Sequence, residues 1–136
     1  MLPILVAEFQ ANDEERERLA LFPGERVYRL DRTRGEGEQR SVESRRLAAA
    51  LFPNLRNPVP RISELAATYG LHIGEALETI SAVSASADIA KTLGVTERTL
   101  LLMSDRVVHL RDGRPAEWRI TYSLDQENLA TLLGRL

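Results

Sequence analysis

The sequence predicts an α+β domain: a six-stranded, mainly antiparallel sheet with flanking helices. Two observations lead there. A strand–turn–strand pattern occurs twice at one constant offset, so that Leu19, Asp31, Arg32, Arg40 and Glu43 return as Leu93, Asp105, Arg106, Arg114 and Glu117. Each copy is preceded by an apolar stretch and a short capped segment, which makes two β-α-β-β pseudo-repeats. Hairpins place sequential strands side by side and antiparallel. No glycine-serine linker separates the halves, so one shared sheet and one core are expected.

The elements follow from local chemistry. Residues 2–8 are short and apolar and read as a strand. Asn12 or Asp13 can cap a helix to Leu19 or Ala20, with Glu14 and Glu15 favourable in its first turn. Pro23-Gly24 stops it. Residues 25–34 alternate, with Tyr28, Leu30, Arg32 and Arg34 on one face. Gly35-Glu36-Gly37 is turn chemistry, and residues 39–46 return as the hairpin partner. Residues 47–60, with Pro53, Pro58 and Pro60, form an irregular connection. Ile62, Leu65, Ala66 and Tyr69 have helical spacing, and Gly70 ends that helix. Residues 76–83 are a strand. Ser84 or Ser86 caps a helix to Leu93, closed by Gly94. Residues 99–109 and 114–122 form a second hairpin, with Asp112-Gly113 as a two-residue turn. Asp125 caps a last helix over 126–133.

Composition narrows the function. The 136 residues suit a single domain. A net charge of −2 gives no bulk basic surface for nucleic acid. The absence of cysteine excludes disulfides, thiolate metal sites and a cysteine nucleophile. His72 and His109 are too few and too far apart for a zinc site, and no cofactor is expected. No apolar run approaches the roughly 20 residues that span a bilayer. The start, MLPILVAEF, is short and turns acidic, unlike a signal peptide. A cytoplasmic protein with no membrane partner is the expectation.

The chemistry concentrates on the hairpins. Arg32 and Arg34 are two apart on a strand and so share a face, and Glu43 lies on the returning strand. Two guanidiniums there make a place for a phosphate or carboxylate, because arginine presents a planar fork of donors. Glu43 or Glu117 could take hydroxyl or amine donors from the same ligand. With Asp112-Gly113 as a two-residue turn, Val108 faces Glu117 and Arg106 is its diagonal neighbour. The same residues fit plain cross-strand ion pairs equally well. The run Asp13-Glu14-Glu15-Arg16-Glu17-Arg18 reads as a solvated helix face. Trp118 reads as core or dimer surface, and Ser63, Ser84 and Ser86 as caps rather than nucleophiles.

Several of these residues also form a family pattern. Leu93-Gly94, Arg106, Gly113-Arg114-Pro115 and Glu117, with Leu19, Gly24, Arg32-Thr33-Arg34, Glu43 and Phe52-Pro53-Asn54-Leu55 upstream, resemble the UTRA domain. That domain is the effector-binding module of GntR/HutC-type bacterial transcription regulators. The resemblance spans essentially the whole chain, residues 1–136 as one domain. It implies a chorismate lyase-like fold, a homodimer and a small anionic metabolite, either a sugar phosphate or a carboxylate, as effector. In sugar phosphate binders of the family an Arg-x-Arg pair holds the phosphate, and two Glu and a Tyr hold the sugar. The matching positions are Arg32, Arg34, Glu43, Glu117 and Tyr122. Where the family often has Ser-Leu-Tyr at the middle helix, this chain has Arg61-Ile62-Ser63, a departure at a helix N-terminus able to receive an anion. DNA would be met only through a separate winged helix-turn-helix domain, for which there is no room before Leu2. Two other readings are a chorismate lyase-like enzyme and a dimerisation module with a degenerate site.

Overall fold

The computed structural model describes residues 7–134. The elements in chain order are β1 (Ala7–Gln10), α1 (Asp13–Leu19), β2 (Arg26–Arg34), β3 (Ser41–Ala48), α2 (Ile62–Thr68), β4 (Ile73–Ser84), α3 (Ala87–Leu93), β5 (Leu100–Leu110), β6 (Pro115–Ser123) and α4 (Gln126–Leu133). The strands form one six-stranded antiparallel sheet in the order β1-β2-β3-β6-β5-β4. The expected α+β class and shared sheet are therefore present. Each repeat contributes three consecutive neighbours, and β3 and β6 meet at the centre.

The repeat is visible in the backbone as well as in the sequence. Asn12 and Ser86 occupy equivalent N-caps, accepting from the N–H groups of Glu15 and Ile89. Leu19 and Leu93 are the buried residues closing the two helices. Ala20 and Gly94 follow in the left-handed region, at φ 52° and 69°. The Ala11 N–H donates to Glu25 O at 2.9 Å, and the Ala85 N–H to Thr99 O at 2.8 Å. Glycine is the residue this cap conformation favours, and alanine at Ala20 carries the steric cost.

Several expectations need correction. The expected first strand over 2–8 lies mostly outside the described residues, and β1 is Ala7–Gln10. β4 is longer than residues 76–83 and runs Ile73–Ser84. Asp112-Gly113 is not a two-residue turn. The Gly113 N–H donates to Leu110 O at 2.9 Å and the Leu110 N–H to Arg114 O at 2.8 Å. Residues 111–113 thus form a three-residue loop with Gly113 at φ 95°, the bulge-bearing alternative for hairpins. The facing pair is Leu110 and Arg114, one position off the expected register.

The chain divides into two compact units. One comprises the chain up to Leu30 with Arg45–Leu77 and Arg106–Arg119; the other comprises Asp31–Ser44, Glu78–Asp105 and the chain from Ile120. Each unit has a cluster of buried side chains of its own. In the first unit Tyr28, Leu30, Leu47, Phe52, Leu65, Leu110 and Ala116 pack together. Phe52 is fully buried, worth about 2–3 kcal/mol by area alone. Tyr28 Oη donates to Phe52 O at 2.9 Å and Tyr69 Oη to Pro53 O at 2.9 Å. These bonds satisfy part of the irregular connection before α2. Trp118 is buried, with the Arg18 guanidinium 5.1 Å from its ring centroid. In the second unit Ala85, Ala90, Leu93, Leu101 and Leu124 form the cluster, with Tyr122 packed against it.

Candidate functional site

Arg32, Arg34 and Glu43 come together in the second unit. β2 and β3 are hairpin neighbours, and that pairing carries both arginines to the one glutamate. Arg32 Nε donates to Glu43 Oε2 at 2.6 Å, and Arg34 Nη1 lies 3.7 Å from Glu43 Oε1. The Glu43 side chain is 4% exposed, that of Arg32 30%, and that of Arg34 55%. The first contact is a short charge-assisted bond. The second exceeds hydrogen-bond distance. Arg34 is the more exposed of the two guanidiniums and the more loosely held to Glu43. Such a trio can hold Glu43 rigidly and still present a guanidinium to an anion.

Glu117 lies in the first unit, among Ala116 and Trp118, all three buried. Arg45 Nε donates to its Oε2 at 2.7 Å, and Arg45 Nη2 donates to Pro60 O at 3.0 Å. Both side chains are nearly inaccessible, 6% and 1% exposed. Glu117 Oε1 is buried and has no hydrogen-bond partner among the described residues. An orphaned carboxylate oxygen costs free energy unless something donates to it. The expected neighbour of Glu117 was Arg106; its bonded partner is Arg45. The shifted hairpin register removes the geometry on which that expectation rested.

The remaining expected residues stand apart from these contacts. Arg61 occupies the N-cap position of α2 without a side-chain capping bond and pairs with Glu64 at 3.0 Å. Its side chain is 75% exposed. Ser63 is exposed in the first turn of α2, a helix of 7 residues. Tyr122 lines a small cavity of about 110 Å³ in the second unit, with Val83, Ser86, Ile89 and Met103. A roomier hollow of about 640 Å³ in that unit is rimmed by Glu38, Asp125 and Glu127, the wrong sign for an anion. Among the described residues no group of three His, Cys, Asp or Glu is placed to hold a metal. No helix there is long and apolar enough to cross a membrane.

Two charged residues escaped the sequence reading. Arg45 is buried, although it sits in a run that reads as polar strand surface. Glu15 is 1% exposed and not part of a solvated helix face. It closes a capping box with Asn12 and receives two bonds of 2.7 Å from Arg29, with Arg46 at 3.1 Å. Burial pushes the Glu15 carboxyl up, but the Arg29 bond, the Asn12 N–H and the charges of Arg29 and Arg46 outweigh it. The net shift is below the ordinary carboxylate value. The usable signal was the capping-box spacing Asn12-x-x-Glu15.

Known structures share this architecture. A GntR-family transcriptional regulator from Enterococcus faecalis V583 superposes with a TM-score of 0.82 at 25% identity, covering 92% of this chain and 93% of that one. The effector domain of PhnF from Mycobacterium smegmatis gives 0.79 at 21% identity, covering 93% of this chain and 80% of that one. Against the longer PhnF chain the TM-score is 0.76 at 23% identity, covering 90% of this chain but 56% of that one. The fold and its relatives define a regulatory effector-binding domain, not an enzyme. The UTRA domain model matches residues 4–125, and the chain belongs to that family.

Proposed function

We propose that this domain senses a small anionic metabolite, a sugar phosphate or a carboxylate, with Arg32 and Arg34 as the anion-holding pair. The supporting observation is Arg34. It is more than half exposed, stands beside Arg32 on β2, and among the described residues its ion-pair contact is one of 3.7 Å with Glu43. Its donors therefore meet an incoming anion without first breaking a strong bond. Glu43 orients the pair. Glu117, with its open Oε1, accepts a hydroxyl or amine proton, and Tyr122, Arg61 and Ser63 are the further candidates for contact. The domain works as a homodimer in the cytoplasm and belongs to the HutC type. It acts on DNA through separate winged helix-turn-helix domains. Effector would shift the balance between two arrangements by binding one of them better.

The test is thermal denaturation against sugar phosphates, inorganic phosphate and di- and tricarboxylates, with Arg32→Ala and Arg34→Ala beside the parent. A ligand at one hundred times its Kd adds about 2.7 kcal/mol of stability. For 136 residues that is roughly 9 °C in Tm. Both variants should lose most of that shift. Equal shifts in parent and variants would sink the arginine pair.

A further inference from the structure

The two pseudo-repeats differ at one place where the difference leaves room. In the second half Tyr122, Leu124 and Val95 share the apolar cluster of the buried Leu93. At the constant offset of the repeat, the first half has Ala48, Ala50 and Leu21 with the buried Leu19. Two large side chains are thus replaced by methyl groups. Beside them the first unit has a hollow of about 550 Å³, lined by Leu19, Leu21, Ala48 and Ala50 together with Leu51 and Pro115. That volume lies within the range of small-molecule sites, about 300–1,000 Å³. Phe22 also lines it and is 74% exposed, a large apolar ring left uncovered.

Three charged side chains line the same hollow: Glu25, Asp112 and Arg114. Arg114 Nε and Nη2 both lie 2.8 Å from Asp112 Oδ2, and the Arg114 backbone N–H donates to Oδ1 at 3.0 Å. Both oxygens of Asp112 are therefore engaged, and the pair is neutral as a unit. Glu25 is held differently. Its backbone N–H donates to Phe22 O at 3.1 Å and its C=O accepts from the Ala11 N–H at 2.9 Å. Among the described residues no hydrogen bond or ion pair holds its carboxylate. The residue is half-buried. Its carboxylate has thus given up water on one side without gaining a partner, an arrangement that favours an incoming cation. The two backbone bonds fix where that charge stands.

We infer that this hollow is a binding site for a small apolar cation, an aromatic or branched hydrocarbon body carrying one ammonium group. The ammonium pairs with Glu25, and the body lies against Leu19, Leu51 and Pro115 with the Phe22 ring beside it. An anion of the same shape would meet the Glu25 charge while Arg114 is already committed to Asp112. A neutral molecule would cover the walls but leave the Glu25 carboxylate further desolvated and unpaired. Arg32 and Arg34 belong to the other unit, and the inference stands without that pair. It gives the domain a second ligand, opposite in charge to the first.

The experiment titrates tryptamine and indolepropionate, one indole body with opposite charges, into the 136-residue chain and follows backbone amide shifts by NMR. Tryptamine should saturate shifts at Leu21, Phe22, Glu25, Leu51 and Gly113, and indolepropionate should bind more weakly. Glu25→Gln keeps both backbone bonds and loses only the charge. It should weaken tryptamine by about tenfold and bring the two probes to similar affinity. Ala50→Trp, at an exposed wall position, should fill the hollow and abolish the shifts while the rest of the amide spectrum shows an intact fold. Tryptamine that leaves these amides unmoved, or binds parent and Glu25→Gln alike, overturns the inference. Tighter binding of indolepropionate does so too. Shifts at Phe22 and Gly113 that depend on protein concentration without any probe would show a second copy covering the hollow, and would also overturn it.

Discussion

Arg45→Met should be the most destabilising single change of a charged residue in this domain. Arg45 bonds a carboxylate that is 1% exposed and whose other oxygen has no hydrogen-bond partner among the described residues. Removing the guanidinium leaves that charge buried and alone, a loss of about 3–5 kcal/mol in comparable cases. The bond from Arg45 Nη2 to Pro60 O is lost too, so the upper half of that range applies. An unfolding entropy of about 2.1 cal/mol/K per residue gives roughly 0.29 kcal/mol/K for 136 residues. The expected fall in Tm is then roughly 14–17 °C by calorimetry. Met keeps the length and apolar bulk of the arginine stem, so little of this is a cavity effect. Arg45→Met with Glu117→Leu should recover most of the loss, because replacing both partners by apolar groups removes the uncompensated charge. A single variant melting within about 3 °C of the parent would refute the claim that Glu117 is a buried anion depending on Arg45.

Glu15 sets part of the acid stability. Its carboxyl is held below the ordinary value in the folded state, so it contributes stability above its unfolded value near 4.5, lost as pH falls through the lower folded value. Urea denaturation at neutral pH should show Glu15→Gln less stable by about 2 kcal/mol, with a shallower decline on acidification. A variant with the parent's acid profile would contradict this. The two equivalent helix caps should respond oppositely. Ala20→Gly relieves a left-handed alanine at φ 52° and should add about 0.5–1 kcal/mol. Gly94→Ala should cost about 1–2 kcal/mol, since φ is 69° and an added Cβ would meet the Arg40 guanidinium at 3.0 Å.

What could be read before folding was local. Asn12, Ser86 and Asp125 sit where short polar side chains cap helices, and each does so. The duplicated hairpin gave the sheet class, because a repeated β-α-β-β unit without a linker has few ways to bury itself. The long-range electrostatics were not legible. Glu15 lies in a run of charges with every mark of a solvated face, and its burial depends on Arg29 and Arg46 arriving from other strands. Arg45 is one of several polar strand residues, and only the pairing of β3 with β6 turns it toward Glu117. The loop at 111–113 was misread because Asp-Gly serves both two-residue turns and three-residue loops closed by a left-handed glycine. The length of β4 was missed because Gly74 weakens a strand signal. There a Cβ would meet the backbone at Leu110 and Arg111 at 2.7–2.9 Å, so close approach to β5 selects glycine.

Calorimetric titration of the tightest-binding anionic metabolite into the parent domain and into Arg34→Ala measures what the exposed guanidinium contributes to effector binding. Loss of a charge-assisted bond to an anion at a half-exposed arginine is worth about 1.4–2.8 kcal/mol. Binding to Arg34→Ala should therefore be weaker by about 10–100-fold, with folding unchanged. The same Kd in both proteins would contradict it.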